Sequence, residues 1–299
     1  MLNYEVCIIC VYVNTYSALE RLEKDPKLRK ILGELAKTEW KHANVWSKVS
    51  GVRVDEVHIS RLRILLLVAL RVLLGPTFII RLLELNEGKG ADYYASAMKS
   101  FGTGSNFGKM IREVLYDEQH HEKVLGDLLE KNETELQYIK SIVFGLNDGL
   151  VEILAIVVGL AAISSSGFVV AIAVSIAGLS GMLSMAGGAY LSAKSEKLVK
   201  SENVSTTPAK EAYFTGFYYL IGALLSILPF ALGLQGYAGI IVAVSIVSLA
   251  IVIVSFIIAV ITGVSVKKRI VEMLAISLGA AFATVAFSTF ARIYWHISI

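Results

Sequence analysis

Apolar positions along this chain fall into two regimes. From residue 141 onward they form long runs, whereas the first 140 residues read as helices in which apolar and charged positions are interleaved. Five runs reach the roughly 20 predominantly apolar residues that a helical membrane span needs. They cover about 141–163, 168–191, 213–233, 237–263 and 271–294. The loops between them alternate in charge. Ser164–Gly167 and Gly233–Gly236 carry none, the second loop holds Lys194, Lys197, Lys200 and Lys210, and the fourth holds Lys267, Lys268 and Arg269. Basic loops stay in the cytoplasm. The pattern therefore predicts five spans, a cytoplasmic N-terminal region and a C-terminus outside.

Composition sharpens the division. The 299 residues carry 39 charges in the first 140 positions and 14 in the remaining 159. A wholly soluble enzyme, a disordered chain and a pure membrane bundle are all excluded by that split. Two domains are expected: 1–140, as charged as a soluble domain, and 141–299, embedded in the lipid bilayer. With 20 basic against 19 acidic residues, the first domain has no nucleic-acid footprint. Cys7 and Cys10 cannot build a disulfide framework, and their CxxC spacing lies in an apolar run. No basic segment opens the chain, and Val6–Val13 is too short to span, so no cleaved signal peptide is expected. Arg61–Leu85 is long and apolar, but Arg63, Arg71 and Arg81 interrupt it and Gly75-Pro76 breaks it. An interior arginine is rarely exposed to lipid, so this segment reads as an amphipathic crossover.

Polar residues inside the spans carry the first candidate chemistry. Asp148 and Glu152 stand i, i+4 on one helix face of the first span. A carboxylate near the membrane centre costs roughly 2.5–3.5 kcal/mol on insertion scales. A hydrophilic path that binds a cation would offset that cost. Met182 and Met185 lie one turn apart in the second span, and thioethers are soft ligands suited to late transition metals. Pro229 in the third span can kink the helix and free a carbonyl.

The runs Phe144–Glu152, Ser184–Ser195 and Gly216–Pro229 resemble the vacuolar iron transporter family, and the resemblance covers 141–299. It implies five spans, a homodimer, and movement of Fe²⁺ or Mn²⁺ out of the cytosol against protons. It also implies that Asp148 and Met185 are pathway ligands, with Glu152 as a helper; Met182, one turn from Met185, joins the candidate pathway by its spacing. Two features depart from the pattern. Ala189 stands where many relatives carry Glu, and the second cytoplasmic loop is too short for the helical metal-collecting domain that some relatives place there.

The first 140 residues carry a second candidate site. Lys24-Asp25-Pro26 reads as a turn between two helices. Glu39-x-x-His42 and Glu118-x-x-His121 each place a carboxylate and an imidazole on one helix face, and dimetal four-helix bundles use two such motifs plus one further Glu from each of the other helices. Counting back from a hairpin turn at Gly102–Gly108, the position opposite Glu118 falls near residues 87–92. Glu87 fits, with Glu84 one turn away on the same face. The position opposite Glu39 falls at 9–13, which holds no acid; Glu5 lies about a turn too far.

This half resembles the rubrerythrin and ferritin-like family, specifically the membrane-bound ferritins that fuse such a bundle to a transporter. The resemblance implies the metal ligands Glu39, His42, Glu84, Glu87, Glu118 and His121, with Ile9 where the first-helix Glu would fall. His120 is a spare histidine beside them. The expectation is thus an all-α protein: a cytosolic ferritin-like four-helix bundle followed by a five-helix transmembrane domain. It would be a multi-pass cell-membrane protein that exports Fe²⁺ and/or Mn²⁺ and uses the bundle to bind and deliver metal. The alternative is a membrane-anchored di-iron ferroxidase or peroxide-scavenging enzyme. Asn132–Lys140 lacks Gly and Pro, so the last bundle helix is expected to run unbroken into the first span.

Overall fold

The structure is a computed structural model that describes residues 2–54, 61–101, 106–199 and 206–295. The side chains of Glu5, Cys7 and Arg63, loop residue Lys200 and turn residues 102–105 lie outside the described residues. Regular structure among the described residues is all α-helical, in nine helices: α1 (Leu2–Leu22), α2 (Pro26–Ser50), α3 (Arg61–Phe101), α4 (Asn106–Lys131), α5 (Glu133–Ala161), α6 (Gly167–Val199), α7 (Pro208–Ala231), α8 (Gly236–Thr262) and α9 (Val266–Trp295). The chain divides into two compact units, Met1–Lys131 and Asn132–Ile299.

In the first unit, α1 and α2 pack as one hairpin and α3 and α4 as another. Asp25 explains the first turn. Its Oδ1 accepts a 2.9 Å hydrogen bond from the Lys27 N–H, and Pro26 sits at the first helical position, where a missing N–H costs nothing. α3 is two segments joined at Gly75, whose φ of 84° and ψ of 171° are open to glycine and strained for other residues. Before this kink, α3 leaves Leu65, Leu66, Val72 and Leu73 exposed; after it, Phe78, Ile79, Ile80 and Leu83 are buried. Full burial of each such side chain stabilises by about 1.5–3 kcal/mol.

In the second unit, α7 packs extensively on both α5 and α6, while α8 and α9 close against α5. Small residues bring α5 and α7 together. A Cβ on Gly145 or Gly149 would collide with the backbone of Thr215 or Tyr219, and one on Gly222 with Leu146. Thr284 ties α9 to α5 by donating a 2.8 Å hydrogen bond to the Ala155 carbonyl.

Among the described residues, six helices are long and apolar enough to cross a membrane, which fits a multi-pass membrane protein. Five correspond one to one with the apolar runs of the sequence. The sixth is Ile64–Ser96 within α3, whose first 18 residues carry only two charges, Arg71 and Arg81. Length and hydropathy alone therefore exceed the five spans expected. The structure also breaks the expected continuous helix. Asn132 leaves helical geometry (φ −109°, ψ 23°), ending α4 at Lys131 and starting α5 at Glu133.

Candidate metal sites

The first site forms where α1, α2, α3 and α4 face one another. Both Glu-x-x-His motifs lie on unbroken helices, so each Glu and its His share a face. Glu39, Glu87, Glu118 and His121 each offer one ligand atom, and these atoms lie within 4.8 Å of one another. All four side chains are buried, Glu39 to 1% exposure. His121 Nδ1 is 3.3 Å from both Glu39 Oε1 and Glu87 Oε2. His42 Nδ1 is 3.5 Å from Glu39 Oε1 and 3.7 Å from Glu118 Oε1, while its Nε2 is 3.0 Å from Asp117 Oδ2.

Three carboxylates in so dry a place repel one another and lack water. Burial pushes the Glu118 carboxyl up to about 11, reinforced by the charges of Glu39 and Glu87. Burial alone would also raise Glu39, but the rings of His121 and His42 outweigh it and hold Glu39 below the usual carboxylate range. Burial would lower His121, yet Glu39 and Glu87 carry it up to about 9. No hydrogen-bond donor is aligned on either Glu39 oxygen, and His42 Nδ1 makes no aligned hydrogen bond to the carboxylates beside it. Carboxylate and imidazole atoms gathered around one point in this way could hold a metal ion.

The remaining sequence candidates lie elsewhere. Glu84 is ion-paired with Arg81 at 2.6 Å and does not join the four-residue group. His120 is exposed on α4. Ile9 is 3% exposed in an apolar cluster with Cys10, Ala43, Trp46 and Tyr94. Two participants carry no signal in the sequence. Tyr16 of α1 is fully buried and donates its phenolic hydrogen to Glu87 Oε1, and Asp117 is the half-exposed partner of His42. Burial, together with the nearby Glu87 charge, raises the Tyr16 phenol well above its ordinary value.

The second site lies along α5, α6 and α7. Tyr219 of α7 donates a 2.8 Å hydrogen bond to Glu152 Oε2 of α5, and Asp148 lies half-buried one turn before Glu152. A Cβ on Gly181 would collide with the Tyr219 hydroxyl, and one on Gly216 would meet Met182 Cγ at 3.6 Å. Met182 thus packs against α7 about one turn from Tyr219. Met185 faces a cavity of about 680 Å³ whose other lining residues include Gln137, Ser184, Ala189, Glu211 and Thr215. Glu211 is buried at the start of α7 and was not singled out by spacing or periodicity. Asp148 and Glu152 lie farther along α5 and do not line this cavity.

The fold and these residues bear on comparisons with known proteins. No curated protein and no solved structure matches the chain. The sequence profile of the VIT family matches residues 139–207 and 196–289, which together take in half of the chain, including Asp148, Glu152, Met182, Met185, Glu211 and Tyr219. Through its second unit, the chain belongs to the VIT (vacuolar iron transporter) family of membrane metal-ion transporters.

Proposed function

We propose that this protein exports divalent iron and/or manganese from the cytosol, and that its first unit is a ferritin-like bundle that binds the ion and delivers it to the membrane domain. The observation that carries the reading is the Glu152–Tyr219 hydrogen bond inside otherwise apolar helices. A carboxylate held by a phenol at that depth is costly as structure and useful as a cation ligand. Asp148, Glu152, Met182 and Met185 then form the pathway. Oxygen and thioether ligands together bind a transition ion without trapping it. The cavity lined by Met185 and Glu211 is its cytosolic mouth.

Five spans, α5 to α9, follow from the loop charges, with the first unit inside and the C-terminus outside the cell membrane. In the first unit, Arg71 is ion-paired with Glu23, which supports α3 as part of a soluble bundle. The exposed face of α6 supports a homodimer. Glu152 is exposed beside it, as are Ser184, Gly187 and Gly188, and a side chain on either glycine would meet nothing within 4 Å. A second copy would bury that small-residue face and keep Glu152 from lipid.

Radioactive iron flux into proteoliposomes tests the export reading. Asp148→Ala should abolish flux while detergent-solubilised protein keeps its helical content. Flux equal to wild type would refute the assignment.

A further inference from the structure

We infer that the first unit holds a single divalent transition-metal ion, at Glu39, Glu87, Glu118 and His121, although two Glu-x-x-His motifs ordinarily imply a pair. The inference rests on the metal-handling reading above and narrows it to a stoichiometry.

The two motifs occupy equivalent places on α2 and α4, but their surroundings differ. His121 has two carboxylates within 3.3 Å, Glu39 and Glu87, the second supplied by α3. The symmetrical position beside His42 would need its own carboxylate from α1. Among the described residues of α1 that place is apolar: Ile9 and Cys10 pack with Ala43 and Trp46, directly beyond His42 on α2. The side chain that α1 does send to the group is Tyr16, and its hydroxyl is committed to Glu87. Among the described residues, the buried carboxylates within 4 Å of His42 are Glu39 and Glu118, which already belong to the first position. Its other nitrogen is turned outward to Asp117, whose side chain is 42% exposed.

Glu39, on whose buried oxygens no hydrogen-bond donor is aligned, is the carboxylate that stands nearest both histidines. A single Fe²⁺ supplies one electron, whereas reducing dioxygen to peroxide takes two. The arrangement therefore suits capture and release of an ion and lacks the electron count of a ferroxidase.

Mn²⁺ binding to the full chain in detergent micelles tests this, by equilibrium dialysis and electron paramagnetic resonance. Wild type should bind exactly one equivalent more than a Glu87→Gln/His121→Ala variant of unchanged helicity, with the six-line spectrum of an isolated ion. Ile9→Glu should add a further equivalent and a spin-coupled pair signal. A difference of zero or two equivalents, a coupled spectrum in wild type, or a second equivalent lost on Glu5→Gln would overturn the inference. So would a folded Ile9→Glu protein that gains nothing; should that variant not fold, the wild-type spectrum decides alone. Absent iron flux alongside one retained equivalent would refute the export reading and leave this one standing.

Discussion

Glu23 and Arg71 are joined by a 2.9 Å ion pair that fastens the α1–α2 turn to α3 just before its kink at Gly75. Glu23 Oε2 takes the guanidinium, while Oε1 accepts the backbone N–H groups of Lys24 and Asp25 at 2.8 and 3.1 Å. Burial would raise this carboxyl, but Arg71 and the two N–H groups hold it below its usual range. Its stabilisation is therefore present above the unfolded carboxylate pKa and is lost as pH falls through the lower, folded value. Glu23→Gln should destabilise the first unit by about 2 kcal/mol, the scale of one charged hydrogen bond left unmade. The gap between variant and wild type should narrow in acid. Thermal melts followed by circular dichroism between pH 3 and 7 would show this; a pH-independent gap would rule out the ionised pair as the cause.

Gly90 opposes Glu118 so closely that an added Cβ would lie 2.8 Å from Glu118 Oε2. Glu118 can swing aside, because its carboxylate is the free end of a flexible chain, but it then leaves the ligand group. Gly90→Ala should thus separate stability from binding. Mid-helix alanine should raise stability by up to about 1 kcal/mol, while Mn²⁺ affinity of the first unit falls. Equal affinity in a calorimetric titration would show that Glu118 does not ligate.

Tyr219→Phe removes the one hydroxyl that donates to Glu152. Losing a hydrogen bond to a carboxylate, worth about 1.5 kcal/mol or more, should slow iron flux about tenfold. Gly181→Ala should act on the same pair by displacing the hydroxyl. Tyr219→Phe in the Glu152→Gln background should add little, since the phenol acts through that carboxylate. Additive losses in proteoliposome flux would separate them.

How much of this was legible in the sequence depends on which physical rule each residue obeys. The five apolar runs and the two Glu-x-x-His motifs are periodic features, and periodicity survives without coordinates. Glu87 was reached by counting from a hairpin turn, which sets a level along the helix but only coarsely a direction around it. Glu84 came with it for that reason, and its ion pair with Arg81 is invisible to counting. Tyr16, Asp117, Glu211 and Tyr219 occupy ordinary helix positions. Their roles arise from neighbours 67 to 75 residues distant in the cases of Tyr219, Tyr16 and Asp117. The break at Asn132 is also silent in composition, because asparagine is tolerated both inside a helix and at its end.

Metal uptake by the first unit should release protons, at the least those of the two raised groups that are themselves ligands, Glu118 and His121. Without an ion, Glu118 titrates at about 11 and His121 at about 9, so both carry a proton at pH 7. Ligation requires the carboxylate and the neutral imidazole, so both protons must leave. Affinity should then rise with pH, by about a hundredfold per unit below 9, where two protons are displaced. Between 9 and 11 only the Glu118 proton remains, and the slope should fall to about tenfold per unit. Adding Mn²⁺ to weakly buffered protein at pH 7 should release at least about two protons per ion bound at this unit, with His42, raised by Glu39 and Asp117, as a further source, read as the difference from the Glu87→Gln/His121→Ala variant. Release near zero would mean that the group is already ionised before the metal arrives, so that neither burial nor the crowding of three carboxylates governs its affinity.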